Sequence, residues 1–169
     1  MGNKQVPNNK HYKQGRYICQ NPDKYLGDLD RVYYRSSWEQ KLYYYLDLNN
    51  RVLKWSAENV TIPYEINENG SWSTHRYYPD AYCEILMPNG NTNNVILEIK
   101  PWSEYRNLEP PKEPQTKTMK SLRNYEYALK TFHKNIIKWQ AAKTFCEKRG
   151  IEFFIITEKY FTDDKIKIF

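Results

Sequence analysis

At 169 residues, with 40% hydrophobic residues and a mean hydropathy of −0.93, the chain is sized for one folded domain with a real core. Its densest apolar run, Phe153-Phe-Ile-Ile156, is far too short to span a bilayer, and Met1-Gly-Asn-Lys-Gln-Val6 has neither an apolar signal core nor the Ser/Thr of a myristoylation motif, so no export segment, anchor or membrane partner is expected. The net charge of +6 and isoelectric point near 9.0 make a polyanion such as nucleic acid a natural partner, although many unrelated soluble proteins are as basic.

Residues 1–25 are polar and basic, with Lys4, Lys10, Lys13, Arg16 and Lys24 among Pro7, Gly15 and Pro22. They are expected to form an N-terminal arm with little regular structure, either lying along a phosphate backbone or forming a solvated tail or a surface-hugging extension. Residues 26–169 are expected to form a single domain. A helix is predicted over about 36–48, because Trp38, Leu42, Tyr45 and Leu46 share one helical stripe. Ser36-Ser-Trp-Glu39 fits a capping box that would start it. Tyr43-Tyr-Tyr45 must face three directions on such a helix, so at least one ring is core and at least one surface.

Short strands follow. Val52–Trp55 is one, and the alternation of Val60, Ile62, Tyr64 and Ile66 gives a second. Asn67-Glu-Asn-Gly70 reads as a turn, and Arg76–Leu86 as a third strand. Met87–Asn93 reads as the loop of a hairpin into Asn94–Lys100. Prolines at 101, 110, 111 and 114 mark 101–118 as a loop. A helical region is predicted over about 119–149, breaking near His133–Asn135 and carrying Trp139, Ala142 and Cys146 on its inward stripe. Lys148-Arg-Gly150 is a C-terminal signal. Ile151–Thr157 reads as a buried strand, and Lys165–Phe169 as a short edge strand or a loose tail. The order predicts an α/β sandwich around a mixed sheet of about four or five strands. Cys19, Cys83 and Cys146 are odd in number, far apart and without zinc spacing, so free thiols in a reducing cytosol are expected.

Chemistry concentrates in Val95-Ile-Leu-Glu-Ile-Lys100. Side chains alternate along a strand, so Glu98 and Lys100 share one face while Val95, Leu97 and Ile99 take the other. Two charges inside an apolar strand cost several kcal/mol unless they are paired or bind a metal or substrate. Asp80 lies in the preceding strand of the predicted hairpin, behind Pro79, with Tyr78, Tyr82 and Glu84 on its face. Directly opposed Cβ atoms lie about 4.5–5.5 Å apart, so register decides whether Asp80 meets Glu98.

Hydrolysing a phosphodiester requires charge neutralisation, an activated water and a stabilised leaving oxygen. Mg²⁺ (with Mn²⁺ as the natural substitute) supplies these using one or two carboxylates. Asp80 and Glu98 are the candidate metal ligands, with the backbone carbonyl of Ile99 as a further one. Lys100 would orient or deprotonate the water, or hold the anionic transition state. Glu39 has two readings: a ligand to the metal shell or to a second metal, or only the reciprocal partner of the helix cap. Glu98 and Lys100 also have a plain alternative, an ion pair at a strand end facing solvent.

Pro79-Asp80…Glu98-Ile-Lys100 resembles the PD-(D/E)xK nuclease superfamily. Arg35-Ser-Ser-Trp-Glu39, Glu58-Asn-Val-Thr-Ile-Pro-Tyr64, Arg76-Tyr-Tyr-Pro-Asp80 and Glu98-Ile-Lys-Pro101, in that order, look like TnsA-type transposon endonucleases. Gly15-Arg-Tyr, Asn21-Pro-Asp-Lys-Tyr25, Gly27-Asp28, Tyr34-Arg-Ser-Ser-Trp-Glu39 and Lys138-Trp-Gln-Ala-Ala142, followed by Phe153-Phe-Ile-Ile-Thr-Glu158, resemble the head completion nucleases of T-even-type tailed phages over roughly residues 15–160. The resemblance implies a restriction-endonuclease-like α/β/α core, a divalent metal and DNA as substrate. It implies catalytic roles for Glu39, Asp80, Glu98 and Lys100. It further implies action in the host cytoplasm or with the virion, on packaged DNA ends or in finishing the filled head, beside portal, neck or other head-completion proteins.

Two other classes share these features. One is a non-catalytic assembly protein binding the portal or DNA end on a nuclease-like scaffold. The other is a nuclease subunit of a transposition or repair complex. Glu58 and Arg35 occupy motif positions with no assigned role. His11, His75 and His133 lack a common spacing, so a histidine metal site is not expected. Lys117, Lys120, Arg123, Lys130, Lys134 and Lys138 either border a DNA groove or form a solvated helix face.

Overall fold

The computed structural model describes residues 14–68, 70–105, 109–162, 165–166 and 168. The first thirteen residues of the expected arm, with Lys4, Lys10, Lys13 and His11, lie outside the described residues. From Gln14 onward the chain is held against the domain rather than extended from it. β1 (Gly15–Arg16) pairs antiparallel with β2 (Tyr33–Tyr34). Tyr17 is buried and its N–H donates to the Val32 carbonyl at 2.7 Å.

The reason is a carboxylate the sequence reading passed over. Asp47 is fully buried. It accepts from the Tyr17 hydroxyl at 3.0 Å and from the N–H groups of Gln20 and Asn21 at 2.6 and 3.0 Å. Its own carbonyl accepts from Asn21 Nδ2 and Lys24 Nζ. A buried carboxylate is tolerated only when its lone pairs are satisfied, and residues 17–24 supply the donors.

Asp47 belongs to α1 (Ser37–Leu48), which starts where expected. The Ser36 hydroxyl caps it by accepting from the Glu39 N–H at 3.1 Å. Leu42, Tyr43 and Leu46 are buried. The tyrosine triplet divides as helical geometry demands, with Tyr43 in the core and Tyr44 exposed.

Four strands form the central sheet: β3 (Val52–Ala57), β6 (Ala81–Leu86), β7 (Thr92–Ile99) and β8 (Glu152–Ile156), in the order β3-β6-β7-β8. The first two pairings are antiparallel and β7–β8 is parallel. This is the mixed α/β sheet that the sequence predicts. The alternation of β7 divides its residues between two cores. Val95, Leu97 and Ile99 join Trp55, Cys83 and the α1 residues Leu42, Tyr43 and Leu46 on one face. Ile96 joins Ala142 and Cys146 on the other. All three cysteines are free.

Three expectations are corrected. The Val60–Ile66 segment is not a member of the central sheet. As β4 (Ile62–Glu68) it pairs with β5 (Ser71–Tyr77) in a separate hairpin, with Gly70 at φ 83° in the turn. Ile62, Tyr64, Ile66 and Tyr77 face inward and share the core of Ala142 and Cys146. The expected strand Arg76–Leu86 is broken at Tyr78-Pro79-Asp80, so β5 ends at Tyr77 and β6 starts at Ala81. Proline has no N–H to give to a ladder. The helical region is one continuous α3 (Met119–Glu147), with Asn135 in its interior. It contains no proline or glycine, and its inner face is covered by β4 and β8, so nothing interrupts the ladder.

α3 ends as expected. Gly150 adopts φ 64° and the Ile151 N–H returns to the Cys146 carbonyl at 3.0 Å. The loop after β7 contains a short helix, α2 (Trp102–Tyr105). The chain end forms a small antiparallel pair, β9 (Phe161–Thr162) with β10 (Lys165–Ile166). No helix among the described residues is long and apolar enough to cross a membrane.

The Asp47 hub makes a stability prediction. Asp47→Asn keeps the shape but replaces a charged acceptor with a half-donor amide, which misdirects bonds from Tyr17, Gln20 and Asn21. A loss of about 3 kcal/mol is expected, read as a lower urea midpoint at unchanged slope.

Candidate active site

The antiparallel register of β6 on β7 opposes Ala81 to Leu97. One step further along each strand brings Asp80 opposite Glu98, the meeting that the sequence left open. Asp80 Oδ2 accepts from the Ile99 N–H at 2.6 Å. That bond fixes the Asp80 carboxylate against the end of β7, beside the strand it would otherwise pair with through its backbone.

Glu98 is only 5% exposed. One of its oxygens, Oε1, accepts from Lys100 Nζ at 3.1 Å. The other, Oε2, is buried and has no hydrogen-bond partner. Leaving a carboxylate oxygen buried and bare costs more than a typical hydrogen bond contributes. Lys100 is set by its own backbone, whose N–H donates to the Ile156 carbonyl of β8 at 2.8 Å. The parallel neighbour thus places the ammonium on the Glu98 side.

The electrostatics follow the geometry. Withdrawal from solvent and the adjacent Glu98 carboxylate push the Asp80 carboxyl well above the usual carboxylate range. The Ile99 N–H and Lys100 oppose this, and Glu39 adds to it. Burial draws the Lys100 ammonium down, but Glu98 and Asp80 outweigh it and hold its pKa above the ordinary lysine value.

Glu39 stands apart from this trio. Its Oε2 accepts from the Arg35 N–H at 2.7 Å and its Oε1 from the Ser36 hydroxyl at 2.9 Å. Both oxygens are used in the capping box. Its charge still reaches Asp80, Glu58 and Tyr43. Of the four expected site residues, the fold gathers Asp80, Glu98 and Lys100, and leaves Glu39 at the rim.

Sequence reasoning placed none of Glu58, Tyr77 and Lys138 at the acid pair, yet all three act on or are acted on by Glu98. Glu58 follows β3 and donates its N–H to the Asp80 carbonyl at 3.2 Å. It adopts φ 44°, in the left-handed region that disfavours side chains. Its carboxylate pairs with Arg35 at 2.7 Å. Desolvation raises its pKa, Arg35 lowers it, and Glu39 and Glu98 raise it further. Tyr77 ends β5 with a buried hydroxyl beside the Glu98 carboxylate, outside normal hydrogen-bond geometry. Burial pushes its ionisation up, and Glu98 adds to the effect through its charge and its contact with the hydroxyl. Lys138 of α3 holds its ammonium 5.2 Å from the centre of the Tyr77 ring. A cleft of about 460 Å³ opens among Arg35, Glu58, Arg76, Tyr77, Tyr78 and Lys138. For Lys138 the sequence signal was only its membership of a long basic set. For Tyr77 it was the Arg76-Tyr-Tyr-Pro-Asp80 motif.

No group of three His, Cys, Asp or Glu side chains among the described residues converges closely enough to hold a metal ion. A site built from these residues offers two carboxylates, Asp80 and Glu98. That suits a hard cation that keeps most of its waters and is unsuited to a closed four-ligand centre. The bare Glu98 Oε2 is the coordination point that such a cation would satisfy.

The TnsA-like endonuclease N terminal family model matches residues 49–158. That stretch contains Asp80, Glu98, Lys100, Glu58 and Lys138, and begins after Glu39. The head completion nuclease of Enterobacteria phage T4 is 35% identical over 144 residues, covering 85% of this chain and 90% of that protein. No solved structure matches the chain.

The left-handed backbone at Glu58 yields a prediction. Glu58→Ala and Glu58→Gly both remove the carboxylate, but only glycine adopts φ 44° without strain. The glycine variant is expected to be more stable than the alanine variant by about 0.5–1 kcal/mol. Paired chemical denaturation of the two proteins measures the difference.

Proposed function

This chain belongs to the TnsA-like endonuclease N-terminal family, and from that footing we propose that it is a metal-dependent DNA endonuclease of the PD-(D/E)xK type acting in phage head completion. The observation that carries the chemistry is the buried, unpartnered Glu98 Oε2 facing Asp80 across β6 and β7. The likeness to the phage T4 head completion nuclease supports the place of action. That place is the processing of packaged DNA ends, or the finishing of a filled head, in the host cytoplasm or on the virion beside portal or neck proteins.

Asp80, Glu98 and the Ile99 carbonyl would hold Mg²⁺ or Mn²⁺, with Glu39 reaching it through water. When bound, the cation neutralises the scissile phosphate and lowers the pKa of a coordinated water. The chain's own residues do the rest. Asp80 is pinned by the Ile99 N–H, so its free oxygen is aimed before substrate arrives. Glu98 shares its charge with Lys100 and keeps one oxygen for the cation. Lys100, ion-paired with Glu98, would direct its ammonium at a non-bridging phosphate oxygen as negative charge builds in the transition state, or orient or deprotonate the water. Such preorganised donors contribute about 2.7–4 kcal/mol when directed at developing charge.

A non-catalytic scaffold would gain nothing from a bare carboxylate oxygen buried against a second acid.

The test is cleavage of supercoiled, linear and branched DNA with and without Mg²⁺. Asp80→Asn and Lys100→Ala should each lower the rate at least about a hundredfold while the fold, read by circular dichroism, is kept. Wild-type turnover by either variant would rule out this mechanism. Absence of Mg²⁺ or Mn²⁺ binding to the folded wild-type protein would favour the scaffold.

A further inference from the structure

The cleft beside the acid pair contains three cations and one carboxylate. Arg35 and Glu58 neutralise each other at 2.7 Å. Arg76 and Lys138 have no ion-pair partner among the described residues. Arg76 is exposed near the end of β5, opposite Pro63 on the outer side of the hairpin. Lys138 is half-buried and leans on the Tyr77 ring from α3. Lys138 has no carboxylate within ion-pair distance among the described residues, and Glu98 and Asp80 act on it only from beyond the Tyr77 ring; a fixed anion in the cleft would add to the stabilisation of this half-buried ammonium. Tyr78, 45% exposed, completes the wall and connects Arg76 to Asp80 along the chain.

The direction of the charge matters as much as its sign. Tyr77 is common to both regions. Its ring carries Lys138 and its hydroxyl lies beside Glu98. The cationic cleft and the two-carboxylate site are therefore contiguous, separated by one aromatic ring. A phosphodiester strand crossing the molecule would meet the acid pair with one phosphate and the cations with its neighbour.

We propose that Arg76 and Lys138 form a binding subsite for the non-scissile phosphate next to the bond that is cut, with Tyr78 packing against the intervening sugar or base. The proposal rests on the nuclease reading for the order of the two phosphates but not for the subsite itself. It makes Lys138 a substrate-binding residue supplied by α3, distinct from Lys100 at the acid pair. It also gives the β4–β5 hairpin a purpose: Arg76 reaches the site because β5 stops at Tyr77 and the chain turns there toward Asp80.

The test is binding of a fluorescent DNA oligonucleotide to the full chain in EDTA, where no cleavage occurs, across a series of salt concentrations. Arg76→Gln/Lys138→Gln is expected to bind at least about tenfold more weakly than wild type at low salt. Its plot of log affinity against log salt should flatten by about one unit per lost phosphate contact. Lys143→Gln, on an exposed position of α3, removes a unit charge outside the cleft and should change little. Lys138→Arg and Arg76→Lys preserve the charges and should restore most of the affinity if the glutamine variants lose it through misfolding alone or through a lost phosphate contact. Circular dichroism separates those two cases. A folded glutamine double variant that binds as tightly as Lys143→Gln overturns the subsite, as does a wild-type protein that does not bind DNA in low salt. An inactive wild-type protein whose binding still depends on Arg76 and Lys138 would refute the nuclease and keep the subsite. An active one whose binding ignores them would do the reverse.

Discussion

The structure turns on two carboxylates held against each other. Asp80 and Glu98 face one another because β6 and β7 pair in a single register, with Ala81 opposite Leu97. Like charges repel most where water is excluded, so the pair persists only because the surroundings over-determine it. The Ile99 N–H grips Asp80, Lys100 neutralises one side of Glu98, and the sheet's hydrophobic faces lock the register. A slip of one residue would send Val95, Leu97 and Ile99 to the wrong core. The apolar alternation of β7 thus enforces the electrostatics of its charged positions.

Other elements read as consequences of that constraint. Pro79 stops the ladder just before Asp80, which frees the carboxylate from strand geometry while the β6 register still aims it. The broken strand lets β5 leave as half of a separate hairpin and bring Arg76 and Tyr77 to the site. β8 fixes Lys100 through the Ile156 carbonyl. α3 covers the same face and brings Lys138. Elements far apart in sequence contribute groups to one region, and their packing on the central sheet makes those positions agree.

The same region departs from local optimality. Glu58 adopts a left-handed backbone that glycine would tolerate better, Glu98 Oε2 has no hydrogen bond, and the Tyr77 hydroxyl has none either. By contrast, the Asp47 carboxylate at the other end of α1 is satisfied by three donors. Folding alone favours the second arrangement.

Local patterns in the chain determined α1 and its Ser36 cap, the alternation of β7, the end of α3 at Gly150, and the identity of Asp80, Glu98 and Lys100 as a set. Each depends on neighbours within a few residues, or on a motif whose order survives without coordinates. Tertiary structure decided what depends on partners distant in sequence. It gave both oxygens of Glu39 hydrogen bonds at the start of α1 while its charge still acts on Asp80, a placement that no spacing encodes. It detached β4 and β5 from the central sheet, because alternation specifies a strand's faces but not which edge it joins. It kept α3 unbroken past Asn135, because packing on β4 and β8 overrides a weak capping preference. It also buried Asp47 under the N-terminal segment, since a polar, basic stretch looks the same whether it is solvated or is donating its N–H groups to a carboxylate thirty residues away.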